Sequence, residues 1–231
     1  MADIARVMGV SSGSLYNYVE SKEALFFLVI DRGFTIPPSR EPPSLPVRTP
    51  PPGALSKRIL ERFRTEGTIY SLAAALKLPC AEEPSAELEA IVREFYEITY
   101  RTAHLTAMLD RSAHDMPELA GLFYGKMRGG LVSRLTRLIE SRIAAGQYRS
   151  VAHPAVAARL IIETVGYFAR NRRGDPASED ISDEAAEETT VDFVVNSLLA
   201  KRRSQTRMTR TVKPLASPVG DNRPHRGQVD Q

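Results

Sequence analysis

The sequence predicts an all-α protein with a small N-terminal head and a larger antiparallel helical bundle. Apolar residues recur three and four positions apart through most of residues 54–200, and no stretch alternates as a strand does. Near the N-terminus, two short helical segments are joined by a glycine-containing turn. Half of the 16 prolines fall between Pro37 and Pro52, which separates the two parts. The predicted divisions are a head (1–34), a linker (35–53), a body (54–202) and a tail (203–231).

The head pattern predicts three helices in immediate succession. Apolar residues in 2–8 have helical spacing, and Gly9 supplies the left-handed residue that ends a helix. Ser11 is a good N-cap for a second helix running to about Val19, and Ser21 for a third that continues to about residue 34. Two short helices with a tight turn between them have the form of a helix-turn-helix DNA reader.

The body pattern predicts five helices, each with one apolar face. Proline at 117 and 154 favours a helix start, and Ser182 is a good cap for the last helix. The expected ranges are 54–78, about 85–112, 117–146, 154–172 and 182–200.

The linker and the tail are predicted to lack helices. Proline has no amide donor, so residues 35–53 are interpreted as an extended spacer, with a ligand for a proline-recognition domain as the alternative. The polar tail is predicted to be disordered. The final 31 residues carry a net charge of +6, which leaves −3 on the other 200, while residues 1–34 carry −1. The pI of 9.1 therefore comes from the tail and is no indication of DNA binding.

Composition excludes several classes of protein. The single cysteine excludes an intrachain disulfide and favours a reducing compartment, so we expect a cytoplasmic location. No apolar run approaches the roughly 20 residues that span a membrane. The four histidines are scattered, and neither a phosphate-binding glycine loop nor a metal-ligand spacing is present. We therefore expect no enzyme activity, no catalytic or metal-binding residues and no cofactor.

The stretch IARVMGVSSGSLYNYVESKEAL resembles the DNA-binding head of TetR-type transcriptional regulators. In that family a pattern like I-A-x-x-x-G-V-S-x-G-[ST]-[LI]-Y-x-[YH]-F-x-[SN]-K-E-x-L recurs, and this chain departs from it mainly at Val19, where Phe is usual. The match covers residues 2–25. The segment beginning at Gly146 also resembles an inter-helix turn found late in such proteins.

In the family, an additional helix precedes this unit and packs across it. Without such a helix, Ile4, Ala5, Leu15 and Leu25 are expected to be short of packing partners. Losing three buried side chains would cost on the order of 4–9 kcal/mol. We therefore expect the true start to lie upstream of Met1.

The second helix of the head holds the candidate DNA-contacting residues. Asn17 suits a bidentate bond to adenine, and Gly13 permits close backbone approach. The resemblance implies DNA contacts from Ser14, Tyr16, Tyr18 and Lys22. Leu15 is expected to be buried in the core. For the tyrosines, the alternative to a DNA contact is that one of them packs within the head. The full predicted set is Ser12, Gly13, Ser14, Tyr16, Asn17, Tyr18 and Lys22.

A stripe of Tyr96, Tyr100 and His104 is a candidate wall of a ligand cavity. The alternative is a half-buried face whose polar tips reach water. The resemblance favours an effector pocket in this part of the body. Phe123, Met127 and Tyr167 are candidate apolar walls. Arg128 and Glu163 are candidate polar anchors, although Glu163 is also placed to pair with Arg159 on the surface.

These features together predict a repressor that an apolar or aromatic effector releases from a palindromic operator in double-stranded DNA. Dimerisation through the last two helices, with Phe168 and Phe193 facing the partner, is expected to make the protein a homodimer. The alternative is a helical ligand-binding or interaction module whose DNA-binding head is truncated and inactive.

Overall fold

The computed structural model describes residues 1–33 and 43–200. Regular secondary structure in these residues is entirely helical, apart from two isolated bridges. The predicted all-α class is therefore confirmed. None of the helices in these ranges combines the length and apolar character needed to cross a membrane. Residues 34–42, which include the start of the predicted linker, and residues 201–231, which include the tail predicted to be disordered, lie outside the described residues.

The head contains α1 (Ala2–Met8), α2 (Ser12–Tyr16) and α3 (Lys22–Gly33). Helix α2 ends three residues before the predicted Val19. Val19 instead forms a parallel bridge with Val47, and the Val47 amide donates to the Tyr18 carbonyl at 2.8 Å. The amides of Tyr18 and Val19 still donate to the Leu15 carbonyl at 2.9 and 3.1 Å, whereas the Glu20 amide donates to the Val47 carbonyl at 3.0 Å, so the helical pattern ends at Val19.

The body consists of further helices, two of which continue into wider π-helical turns. Helices α6, α8 and α10 each begin on a proline, and the Ser182 hydroxyl caps α11 by accepting from the Ala185 amide at 3.1 Å. The elements are α4 (Ala54–Glu66), α5 (Tyr70–Ala75), α6 (Pro84–Arg101), α7 (Ala103–Ala113), α8 (Pro117–Ala120), the π-helical Gly121–Arg128, α9 (Gly129–Ala144), α10 (Pro154–Gly166), the π-helical Tyr167–Asn171, two 3-10 turns (Arg172–Gly174 and Pro176–Ser178) and α11 (Asp183–Leu198).

The helix predicted over 54–78 is broken at Gly67. A Cβ atom there would lie 2.8 Å from the ring of Phe63, so a glycine is needed where that ring folds over the end of α4. Helix α5 then starts anew, and the Glu94 carboxylate accepts from the amides of Tyr70 and Ser71 at 2.8 Å each. This cap comes from a distant residue, so periodicity within the segment did not reveal it.

The helix predicted over about 85–112 also divides, at Thr102. The Thr102 hydroxyl donates to the Ile98 carbonyl at 2.7 Å, the carbonyl that the Thr102 amide also contacts at 3.0 Å. A threonine hydroxyl that competes for a backbone acceptor in this way bends or ends a helix. Helix α6 therefore stops at Arg101, and α7 begins two residues later, at Ala103.

Two apolar clusters hold the fold together. The larger joins α5, α6, α9, α10 and α11 through fully buried side chains such as Leu88 and Leu138. The smaller contains Ile30 from α3, Ile59 from α4, and residues of α7 and the first π-helical segment. The last helix of the head therefore packs with the body instead of being attached by the linker alone.

We expect Glu94→Ala to lower the free energy of unfolding by about 0.5–2 kcal/mol at neutral pH, the usual range for a lost helix cap. Burial raises the pKa of Glu94, but hydrogen bonds from Ser71 and Tyr70 outweigh it and leave that pKa below its ordinary value. The stabilisation is therefore fully present above the unfolded-state pKa of about 4.3 and is lost as the pH falls through the lower folded-state value.

Urea unfolding at several pH values measures this difference. Glu97→Ala is the control, because Glu97 is exposed and its ion pair in the described part of the chain, with Arg101 at 3.5 Å, lies on the surface of the same helix. An equal loss in both variants, or a Glu94→Ala loss that persists in acid, would contradict the assignment.

Candidate functional site

The turn between α1 and α2 is built by Gly9 and Ser11. Gly9 has φ 68°, and its amide donates to the Arg6 carbonyl at 3.2 Å. The Ser11 hydroxyl accepts from the Ser14 amide at 3.1 Å and caps α2. Ala5 and Leu15 are buried, so two of the four residues expected to be short of partners are already enclosed. Ile4 and Leu25 are half-buried.

The predicted DNA-contacting residues lie mostly on the open side of α2 and the residues after it. Tyr16 is 51% exposed and Tyr18 is 55% exposed, so neither is buried within the head. Ser14 alone is half-buried, with its hydroxyl 2.8 Å from that of Ser11. The exposed members of the set are Ser12, Gly13, Tyr16, Asn17, Tyr18 and Lys22.

Lys22 is the first residue of α3, next to the cap of that helix. The Ser21 hydroxyl accepts from the Ala24 amide at 3.0 Å. The Lys22 side chain is exposed, and Glu20 and Glu23 lie close to it in sequence. An ammonium beside free helical amides is a common way to hold a phosphate group, although the two carboxylates reduce the local positive charge.

The linker segment, residues 43–53, contacts the head, which the interpretation as a spacer did not anticipate. Its Val47 exchanges backbone hydrogen bonds with Tyr18 and Glu20. The Thr49 amide donates to the Glu20 carboxylate at 2.8 Å, and the Thr49 hydroxyl lies 2.8 Å from that of Ser21. The segment thus braces the short connection between α2 and α3.

The body contains a cavity of about 310 Å³, partly open to solvent, between α4, α6, α7, α9, α10 and both π-helical segments. Of the six residues predicted to bind a ligand, Phe123 and Met127 line it. Most of the remaining wall is apolar and comes from residues that the sequence did not single out. These are Phe63, Ile69, Phe95, Ile98, Leu131 and Ile162.

The other four predicted residues lie elsewhere. Tyr96 is buried in the larger cluster, where its hydroxyl donates to the Phe168 carbonyl at 3.2 Å. The Tyr100 hydroxyl donates to Asp183 at 2.9 Å, so this residue ties α6 to α11. His104 is exposed on α7. The Tyr167 hydroxyl donates to Asp175, and that bond lowers the pKa of the Asp175 carboxyl.

Basic residues supply most of the cavity's charge. Arg128 pairs with Glu163 at 3.5 Å, and Glu163 also pairs with Arg159 at 2.6 Å, as the spacing of those two residues predicted. Arg170 lies 4.0 Å from Asp110. Burial lowers the pKa of the Arg134 guanidinium.

The cavity is physically connected to the head. Phe63 and Gly67 line it from α4, and α4 binds α3 through the ion pair of Arg58 with Asp31. Ile30 of α3 is fully buried in the same cluster as the cavity residues Phe123 and Met127. Shared apolar packing and an ion pair therefore link the cavity walls to α3.

The two residues predicted to face a partner subunit differ in exposure. Phe193 is 65% exposed on α11, next to Leu160 of α10, which is 62% exposed, and both line an apolar groove between these helices. Phe168 instead packs against the larger cluster.

Within residues 1–33 and 43–200, no three His, Cys, Asp or Glu side chains are grouped so that they could hold a metal ion. Neither protein-family models nor curated proteins match the chain. The features that bear on function are therefore the exposed side of α2, the cavity and the apolar groove.

Proposed function

We propose that the chain is a DNA-binding transcriptional regulator of the TetR type, controlled by a small-molecule effector. The observation that carries the proposal is the form of α2. The helix is capped by Ser11 and anchored by buried Leu15, and its last residue, Tyr16, is exposed together with the next two, Asn17 and Tyr18. A short, rigidly mounted helix with an exposed polar and aromatic side is what a major-groove reader requires.

The exposed residues have distinct roles in this proposal. Asn17 carries the amide that can bond adenine bidentately. Tyr16 and Tyr18 bond phosphates with their hydroxyls, and Lys22 adds a charged phosphate contact. Ser14 contributes by exchanging its bond with Ser11 for one to DNA.

A homodimer is needed because one helix of this length reads few bases. The apolar groove between α10 and α11 is the proposed interface. Leu160 and Phe193 are large apolar side chains that remain mostly exposed there, and Val156, also on α10 but outside the groove lining, is 55% exposed. Two such helices from each subunit pack as a four-helix interface, which places two heads on one palindrome.

Effector control follows from the route between the cavity and α3. Suppose that α4 can take two positions relative to the rest of the body. A ligand that binds one of them more tightly changes the spacing of the two heads, whereas a ligand that binds both equally has no effect. A typical coupling of about 1–3 kcal/mol corresponds to a roughly 5- to 150-fold change in DNA affinity. By linkage, operator DNA then weakens effector binding by the same factor.

An inactive head on a ligand-binding module is the competing proposal. The acidic balance of the head favours it, since residues 1–33 contain four carboxylates against three basic side chains. Selection from a random double-stranded DNA library with the full chain distinguishes the two. Enrichment of a palindromic sequence supports the regulator, while recovery of unenriched DNA after repeated rounds supports the module.

Variants then test the docking of α2. Lys22→Ala is expected to weaken binding to all duplexes alike and to reduce the slope of log affinity against log salt by about one. Asn17→Ala is expected to cost about 1–3 kcal/mol on the enriched site and to relax its sequence preference. Lys77→Ala removes another exposed lysine, two residues after the end of α5 in the body, and is the control. Unchanged affinity in Lys22→Ala would contradict the docking model.

A further inference from the structure

The lining of the cavity is asymmetric in charge. Its wall contains four basic side chains, Lys126, Arg128, Arg134 and Arg170, and no aspartate or glutamate. The hydroxyls of Thr99, Thr102 and Thr106 also line it, but each donates to a backbone carbonyl of its own helix turn at 2.7–3.1 Å. The donors left for a ligand are therefore cationic.

Arg134 stands apart from the other two arginines. Arg128 has Glu163 and Arg170 has Asp110, whereas no carboxylate within the described residues lies at ion-pair distance from Arg134. Its one hydrogen bond, to the Ile69 carbonyl, is long at 3.5 Å. The side chain is nevertheless half-buried on α9, between the cavity and α5.

A guanidinium in this setting favours an anionic ligand. An arginine stays protonated at all physiological pH values, even when burial lowers its pKa. A half-buried charge whose one hydrogen bond within the described residues is long has lost hydration that is replaced only in part. A carboxylate or similar anion restores the missing interaction with two parallel N–H···O bonds. The apolar side chains around it exclude a small hydrated ion and favour a ligand with a substantial hydrocarbon part.

We propose that the cavity binds an amphipathic organic anion, whose charged group pairs with Arg134 while its apolar body lies against Phe95, Ile98, Met127 and Leu131. The inference rests on the proposed function for the role of this ligand as the effector. Binding itself does not depend on the DNA-binding head, so its test contains no DNA.

The first arm of the test compares ligands on the wild-type full chain. Octanoate, octanol and octylammonium share one hydrocarbon body and differ in the charge of the head group. Calorimetric titration is expected to show octanoate binding at one site per chain, roughly 10- to 150-fold more tightly than octanol, the range for a hydrogen bond to a charged group. Octylammonium is expected to bind more weakly than octanol. Equal affinity for octanoate and octanol, or no octanoate binding, would overturn the proposal.

The second arm changes the protein. Arg134→Gln should lose the preference for octanoate over octanol, and Arg134→Lys should keep part of it. Arg137→Gln is the matched control, since Arg137 is exposed on the same helix and lies outside the cavity wall. Unchanged preference in Arg134→Gln would move the anion to another basic residue and overturn the assignment. If circular dichroism shows that Arg134→Gln does not fold, the Arg134→Lys variant and the ligand comparison test whether Arg134 binds the anion.

If the chain binds octanoate as expected but enriches no DNA sequence, the anion site is supported and the proposed DNA-binding function is contradicted. If the chain enriches a palindrome but does not bind octanoate, the DNA-binding function is supported and the anion site is contradicted.

Discussion

Glu87→Ala is expected to lower the free energy of unfolding by about 3–5 kcal/mol, a large share of the stability of a domain of this size. Its carboxylate accepts two bonds at 2.7 Å from Arg142, whose side chain is 0% exposed. The same guanidinium donates to the carbonyls of Ala75 and Leu78 at 2.9 and 3.1 Å, which joins the end of α5 to α6 and α9. Removing Glu87 leaves a buried cation without its counter-charge.

Urea unfolding measures this loss, and two further variants establish its cause. Glu89→Ala removes an exposed carboxylate two positions away that pairs with Arg93 at 2.9 Å, and we expect a loss below about 1 kcal/mol. Replacing both Glu87 and Arg142 with methionine should recover most of the stability, since apolar residues often substitute for a complete buried pair. A loss below 1 kcal/mol in Glu87→Ala would show that the pair is dispensable.

If the chain forms the proposed dimer, Leu160→Asp and Phe193→Asp are expected to convert it into monomers. Both side chains are more than three-fifths exposed in a single chain, so the substitutions leave the folded subunit intact. In a dimer, each introduces a charge into the centre of an apolar interface, with an expected cost of 2 kcal/mol or more and thus at least a roughly 30-fold weaker association. DNA affinity should fall with it, because two heads are needed on the palindrome.

Sedimentation equilibrium measures the association, and Leu78→Asp is the control. Leu78 is 55% exposed but lies outside α10 and α11. Dimers that persist in both variants would remove the interface from this groove. Phe168→Asp is a poorer test, because Phe168 is half-buried against the larger cluster and its substitution would disturb the subunit itself.

Local signals were sufficient for the helical class and for the elements of the head. Gly9, Ser11, Ser21 and Ser182 end or cap helices as their positions predicted, because these effects operate within one turn. The linker segment was different. Val47 and Thr49 bind residues nearly 30 positions earlier, and a proline-rich composition gives no indication of that contact.

The cavity could be predicted only in part, for a geometric reason. Tyr96 and Tyr100 occupy one stripe of α6, and Phe95 and Thr99 occupy the adjacent one. Both stripes combine apolar and polar groups, so amphipathicity does not indicate which neighbour each one faces. The contacts of Tyr100 show that its stripe faces away from the cavity. Its hydroxyl donates to Asp183 of α11, and its ring lies under Arg173 of the first 3-10 turn. Arg134 was missed because an unpaired arginine is recognised only when the surrounding carboxylates are known.

Competition binding on DNA tests the central claim most directly. The palindrome enriched by selection is titrated with the full chain at physiological salt, in the presence of excess random duplex. A regulator that reads bases through α2 should prefer the enriched site by at least about a thousandfold, and Asn17→Ala should erode that preference while Lys77→Ala leaves it intact. Equal affinity for the enriched and random duplexes would contradict the account and leave a helical ligand-binding module with an inactive head.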